Sequence, residues 1–182
     1  MVSVLMCTYN RRFCLKQAID SVLCQTYPDF EFVIVDDGST DGTEELIKSY
    51  QDPRIRYFKL NRNSFYCYAA NQGLYHCQGD YVAFMNSDDA WLPDKLEKQV
   101  TVMEEDRMLG ACFTRVYLVD ESGNDLSEEC RDMAEEVFDT ERISAYASAI
   151  WEFSLSSFGA GQKIRFGQDW IFQSFVSSAG GL

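Results

Sequence analysis

At 182 residues, with 46% hydrophobic and 14% aromatic content, the chain can bury a real core and fits one folded domain rather than a disordered segment. A formal net charge of -13 excludes the basic surface that nucleic-acid binding needs, and it disfavours attraction to anionic lipid. No apolar run approaches the roughly 18 residues that cross a bilayer, so no transmembrane segment is expected, and Met1–Met6 turns polar at once instead of opening like a signal peptide.

The elements follow in order. Val2–Cys7 is a short apolar run rich in β-formers and reads as a first strand. Leu15, Ala18, Ile19, Val22 and Leu23 recur at helical spacing. Phe30–Val35, entered after Pro28, is a second strand that ends at Asp36-Asp37-Gly38-Ser39. A helix follows, with Asp41 and Glu44 spaced as a capping box and Leu46, Ile47 and Tyr50 turned inward. Ile55–Leu60 gives a third strand, Tyr66–Cys77 a helix, and Tyr81–Met85 a fourth strand that stops at Asn86-Ser87-Asp88-Asp89. Pro93 marks the next helix start, continued by Leu96, Val100 and Met103. This alternation predicts an α/β fold: a mostly parallel central sheet flanked by helices on both faces, with right-handed crossovers.

Past residue 109 the pattern changes. Ala111–Val119 reads as a strand, Glu121-Ser122-Gly123-Asn124 as a turn, and Asp169–Val176 as a final helix. Residues 127–142 are acidic and poorly periodic, 143–166 carry no readable pattern, and Ser177–Leu182 is loose. The seven cysteines (Cys7, Cys14, Cys24, Cys67, Cys77, Cys112, Cys130) form no C-x-x-C pair, and there is a single histidine. That pattern points to reduced thiols in a cytosolic protein and away from a zinc or redox site.

In open parallel sheets, ligands bind beyond the carboxyl ends of the strands. Three such ends carry polar clusters here: Thr8-Tyr9-Asn10-Arg11-Arg12, Asp36-Asp37-Gly38-Ser39 and Asn86-Ser87-Asp88-Asp89. No glycine precedes Gly38, so the first turn cannot be a dinucleotide-binding loop, and no P-loop occurs. A diphosphate on this rim therefore needs positive charge from elsewhere, which a divalent cation held by carboxylates supplies. Read as residues alone, Asp36 and Asp37 could also end a strand and cap the next helix, and Asp169 could be a helix N-cap.

The segments Val2–Asn10, Ser21–Tyr27, Val33–Thr43 and Gly79–Asp89, continued by Trp91-Leu92-Pro93-Asp94-Lys95-Leu96, resemble family 2 glycosyltransferases almost continuously over residues 1–100. Val119–Asn124 and Gly167-Gln168-Asp169-Trp170 match shorter family patterns. The resemblance implies a GT-A type nucleotide-diphospho-sugar transferase fold in one domain over residues 1–182. Residues 1–109 would be the nucleotide-sugar and metal-binding half, and 110–182 an acceptor-side half short enough to suggest truncation. It further implies an inverting transferase working from a nucleotide-diphosphate-sugar donor onto a saccharide or lipid-linked acceptor hydroxyl in polysaccharide or glycolipid synthesis. That work would take place in the cytoplasm or at the inner face of the membrane.

By the same resemblance, Thr8, Tyr9 and Asp37 would contact the nucleotide base. Asn10, Asn71 and Ser87 fall on matching positions of the same donor site. Asp88, the last residue of the D-x-D signature, would coordinate Mg²⁺ or Mn²⁺, and Asp169 would be the catalytic base. Three departures stand out: Asn86 replaces the first aspartate of D-x-D, Phe65 stands where the family commonly has glycine, and Ala70 where it commonly has arginine. They motivate a competing expectation, a non-catalytic or partner-dependent nucleotide-sugar-binding module.

Overall fold

The computed structural model describes residues 1–107, 109–114, 119, 163–165 and 175–177. In chain order it contains β1 (Val2–Thr8), α1 (Arg12–Leu23), β2 (Phe30–Asp36), α2 (Thr43–Ser49), β3 (Ile55–Lys59) and α3 (Tyr66–His76). Then come β4 (Tyr81–Asn86), α4 (Lys95–Glu105), β5 (Leu109–Cys112), β6 (Lys163–Arg165) and β7 (Phe175–Ser177). These strands form one sheet in the order β3-β2-β1-β4-β7-β5-β6. Its first four members are mutually parallel, while β7 runs antiparallel to both β4 and β5.

Strand pleating divides the apolar residues between two faces. Val2, Val4 and Met6 of β1 join Phe30, Phe32 and Ile34 of β2 beneath α1, whose Leu15, Ala18, Ile19 and Val22 are fully buried. Ile47 of α2, with Leu96 and Met103 of α4, extends this cluster. The residues of opposite parity, Leu5, Val33 and Val35, form a second cluster with Ala69 of α3. Gly73 is what lets α3 lie so close: a Cβ there would sit 2.2 Å from Leu5 Cδ1 and 3.1 Å from Val35 Cγ2. Helices thus cover both faces, as the alternating pattern predicts.

Three expectations need correction. Asp41 and Glu44 do not form a capping box, because the N-cap is Gly42 in the left-handed region and makes no side-chain cap. Asp41 Oδ1 instead accepts from the Thr43 N–H (3.1 Å) and hydroxyl (2.7 Å), while Glu44 turns outward to Lys48 and Lys59. The expected strand over Ala111–Val119 is the shorter Leu109–Cys112. The expected helix over Asp169–Val176 is contradicted at its C-terminal end, where Phe175–Ser177 is a strand wedged between β4 and β5. Asp169 to Ser174, the turn at 121–124, and residues Trp151 and Trp170 lie outside the described residues.

Candidate functional site

The sheet reverses its direction of growth between β1 and β4: β2 and β3 extend to one side of β1, and β4 returns to the other. A crevice at such a switch point, beyond the carboxyl ends of the strands, is where open α/β sheets take their ligands. Register puts the relevant tips side by side, with Thr8 opposite Asp36 and Cys7 opposite Asn86.

Backbone and side-chain bonds tie the β1 and β2 tips together. The Asp37 N–H donates to Thr8 O (2.9 Å). The Asn10 N–H donates to Ser39 Oγ (2.9 Å), and Thr40 N–H donates back to Asn10 Oδ1 (2.9 Å). Asn10 sits at φ 51, a left-handed conformation that asparagine tolerates better than most residues. Within this frame Tyr9 is exposed, and Thr8 Oγ1 is buried with no hydrogen-bond partner among the described residues. A buried hydroxyl without a partner costs free energy and invites an acceptor or donor from a ligand.

The two aspartates after β2 differ in kind. Asp36 is fully buried and its carboxylate is used internally, accepting from Ser39 N–H and the Tyr57 hydroxyl, each at 2.7 Å. Burial, helped by Asp36, pushes the Tyr57 phenol well above its ordinary range. Asp37 is held by one bond at Oδ1, from the Ser64 N–H at 2.8 Å. Gly38 makes that arrangement possible: at φ 80, its missing Cβ would lie 2.7 Å from the Arg62 carbonyl carbon. The segment leading into α3 is thereby laid directly over the β2 tip.

Across the crevice, the loop after β4 carries Ser87, buried, and Asp88, exposed. Among the described residues no hydrogen bond or ion pair engages the Asp88 carboxylate. Its charge reaches the first turn of α1: burial first, then Asp88, raise the Cys14 thiol, whose Sγ lies 3.5 Å from Ser87 O. The Asn86 Nδ2 donates to Asp89 Oδ2 at 2.8 Å and braces the loop. No group of three histidine, cysteine or acidic side chains converges as a metal cage among the described residues.

The far end of this loop is anchored by buried polar side chains outside the polar clusters at the strand ends. Gln25 donates to Leu92 O (2.8 Å) and accepts from Leu96 N–H (3.0 Å). Trp91 is 6% exposed, and Lys95 Nζ stands 4.1 Å over its ring while donating to Gln99 Oε1 (2.5 Å). Gln99 in turn donates to Cys112 O at 3.0 Å, linking the loop to β5. The signal available was the spacing: Lys95 and Gln99 fall on the same four-residue stripe as Met103, so two polar residues lie on an apolar helix face.

Burial pushes the Lys95 ammonium from 10.5 down to about 7. Between those pH values the unfolded chain holds a proton that the folded chain does not, so the Lys95 contribution to stability rises with pH over that window. Comparing urea unfolding of the wild type and Lys95→Met from pH 7 to 9 should show the difference moving in favour of the wild type by about 1 kcal/mol per pH unit. A pH-independent difference would show that Lys95 keeps an ordinary pKa.

Asn71 is exposed in the middle of α3, off the buried Ala69-Ala70-Gly73 face, and no described bond ties it to the β1 and β2 tips. Asp169 lies outside the described residues. The nearest described strand, β7, is antiparallel to β4, with Ala83 opposite Phe175 and Tyr81 opposite Ser177. Within β7, Phe175 therefore lies nearer the rim than Ser177.

A family model described as Glycosyl transferase family 2 matches residues 3–158. A Bacillus subtilis protein named as the teichuronic acid biosynthesis glycosyltransferase TuaG is 42% identical over 130 residues, which cover 70% of this chain and 51% of that protein. An uncharacterized glycosyltransferase of Methanocaldococcus jannaschii is 42% identical over 132 residues, 70% of this chain and 46% of its own. The chain thus spans about half the length of the curated relatives it matches.

Among solved structures, S. aureus TarS 1-349 in complex with UDP-GlcNAc superimposes with a TM-score of 0.63 at 27% identity, covering 68% of this chain and 36% of that one. The mannosyltransferase PcManGT of Pyrobaculum calidifontis, in complex with GDP-Man and Mn²⁺, gives 0.59 at 27% identity, with 64% and 35% covered.

Proposed function

The chain belongs to glycosyl transferase family 2, and from that premise we propose that it moves a sugar from a nucleotide-diphosphate donor to an acceptor hydroxyl with inversion, assisted by Mg²⁺ or Mn²⁺. One observation carries the reading. The switch point between β1 and β4 brings the unpartnered Thr8 hydroxyl and the Asp37 carboxylate to face a loop whose Asp88 carboxylate is engaged by no hydrogen bond or ion pair among the described residues. The UDP, UDP-GlcNAc, GDP-Man and Mn²⁺ held by the structural neighbours support the same assignment.

The donor set fits a divalent cation of a particular kind. One free carboxylate is too little for an all-protein cage but suits Mg²⁺ or Mn²⁺ shared with phosphate oxygens. Asp88 would hold it, while the Asn86 Nδ2 braces the loop on Asp89. When bound, the metal supplies charge stabilisation to the departing diphosphate. Thr8, Tyr9 and Asp37 orient the base from the β1 and β2 tips, with Asn10, Ser87 and Asn71 on the surrounding wall. Asp169 takes the proton of the acceptor hydroxyl as its oxygen attacks the anomeric carbon and the carbon–oxygen bond to the diphosphate breaks on the opposite face.

The acceptor we assign, a saccharide or lipid-linked saccharide of a surface polysaccharide, follows the name of the B. subtilis relative. The six free cysteines among the described residues suit the cytoplasm. Among those residues no helix is long and apolar enough to cross a membrane.

Calorimetry with UDP and GDP, with and without Mn²⁺, tests the site. Because Asp88 alone cannot cage the ion, Mn²⁺ should tighten nucleotide binding at least about tenfold and bind poorly without nucleotide. Failure of both nucleotides to bind with Mn²⁺ present would falsify the reading, and binding without turnover on any donor sugar would leave only the non-catalytic module.

A further inference from the structure

Two non-glycine residues among those described have positive φ, Asn10 and Phe65. Phe65 is the more demanding. At φ 67 and ψ 156 it occupies a region that is essentially reserved for glycine. Its backbone is held from both sides. The Phe65 N–H donates to Asn63 Oδ1 (3.0 Å), and its carbonyl accepts from Tyr68 N–H (3.1 Å) and Ala69 N–H (3.2 Å). The preceding Ser64 N–H is fixed on Asp37, and Arg62 and Asn63 press on Gly38.

These bonds explain how the strain is sustained, but not why a phenylalanine is present. The ring is 81% exposed, so burial within the fold does not offset the cost. Nothing in the described packing would be lost with glycine.

What the ring does have is a location. It follows directly on the residue that grips Asp37, at the tips where Thr8 Oγ1 lies buried without a partner. Asp37 is in turn bonded through its N–H to Thr8 O at the end of β1 (2.9 Å). The turn into α3 therefore rides on the β1 and β2 tips. An exposed aromatic face beside a nucleotide site is a stacking platform, and every base has a π-face to lay on it. We infer that the Phe65 ring packs on the base of the bound nucleoside diphosphate, so that backbone strain is retained in exchange for donor affinity. The inference rests on the donor-site reading above.

Stability and affinity should then move in opposite directions, a result no purely structural role produces. Phe65→Gly releases the strain and raises Tm by about 2–6 °C, while weakening UDP or GDP binding in Mn²⁺ roughly tenfold. Phe65→Ala keeps the Cβ and the strain, so it loses the same affinity without the gain in Tm. Phe65→Trp retains both wild-type properties. Calorimetry and thermal melts on the wild type and the three variants read all of this.

Wild-type affinity in Phe65→Gly or Phe65→Ala overturns the stacking role while the donor site stands. A Tm for Phe65→Gly no higher than wild type removes the strain and overturns the argument at its start. If the wild type binds neither UDP nor GDP with Mn²⁺, the donor-site reading falls and takes this one with it.

Discussion

Asp88→Ala is expected to lower kcat/KM for sugar transfer by about 10³-fold or more, the scale of losing preorganised charge stabilisation on a leaving group. The fold should be indifferent to the change. Asp88 is exposed and makes no hydrogen bond or ion pair among the described residues, and surface substitutions of that kind usually stay within about 0.5 kcal/mol. Asp36, at the end of β2, is the counterexample: fully buried, with both carboxylate oxygens occupied by Ser39 and Tyr57, it serves the scaffold. Measuring kcat/KM across a Mn²⁺ titration, together with Tm, separates the two kinds of aspartate. Metal-independent transfer at the wild-type rate in Asp88→Ala would defeat the proposed role outright, and a collapse in Tm would recast Asp88 as structural.

Asp169→Ala should reduce kcat by about 10²- to 10⁴-fold, the range contributed by a positioned general base. Nucleotide affinity should hold within about twofold, because a base that acts on the acceptor contributes nothing to donor binding. Single-turnover kinetics beside UDP calorimetry decides the matter: loss of nucleotide binding would make Asp169 a donor or scaffold residue, and an undiminished kcat would remove it from the chemistry.

How far the molecule was legible in its sequence depends on the range of the forces involved. Leu15, Ala18, Ile19 and Val22 declare a helix through their spacing alone, and Val2–Thr8 and Phe30–Asp36 declare strands because a central parallel strand is apolar on both faces. The three polar clusters converge because they end such strands, which made the rim readable as well.

Features that depend on distant partners were not readable. Phe175–Ser177 is three residues long and is a strand only because β4 and β5 flank it, so local periodicity suggested a helix. Asp41 and Glu44 have the spacing of a capping box, yet Lys48 and Lys59 draw Glu44 away from the helix end. That the Asn86 Nδ2 braces the loop on Asp89, at 2.8 Å, depends on a fold contact that the sequence does not show. The strain at Phe65 is a backbone angle that no composition reveals, although a family glycine at that position pointed towards it.

The place of β7 has a consequence for how the chain can be built. Among the described residues it is the last strand in sequence, yet it stands inside the sheet, between β4 and β5. A ribosome that has passed only β6 has therefore produced a β4 edge and a β5 edge with nothing between them. Unpaired parallel-sheet edges of this kind are templates for intermolecular pairing. Joining the two halves of the sheet waits for β7, so β1 to β4 pass through synthesis with an open flank.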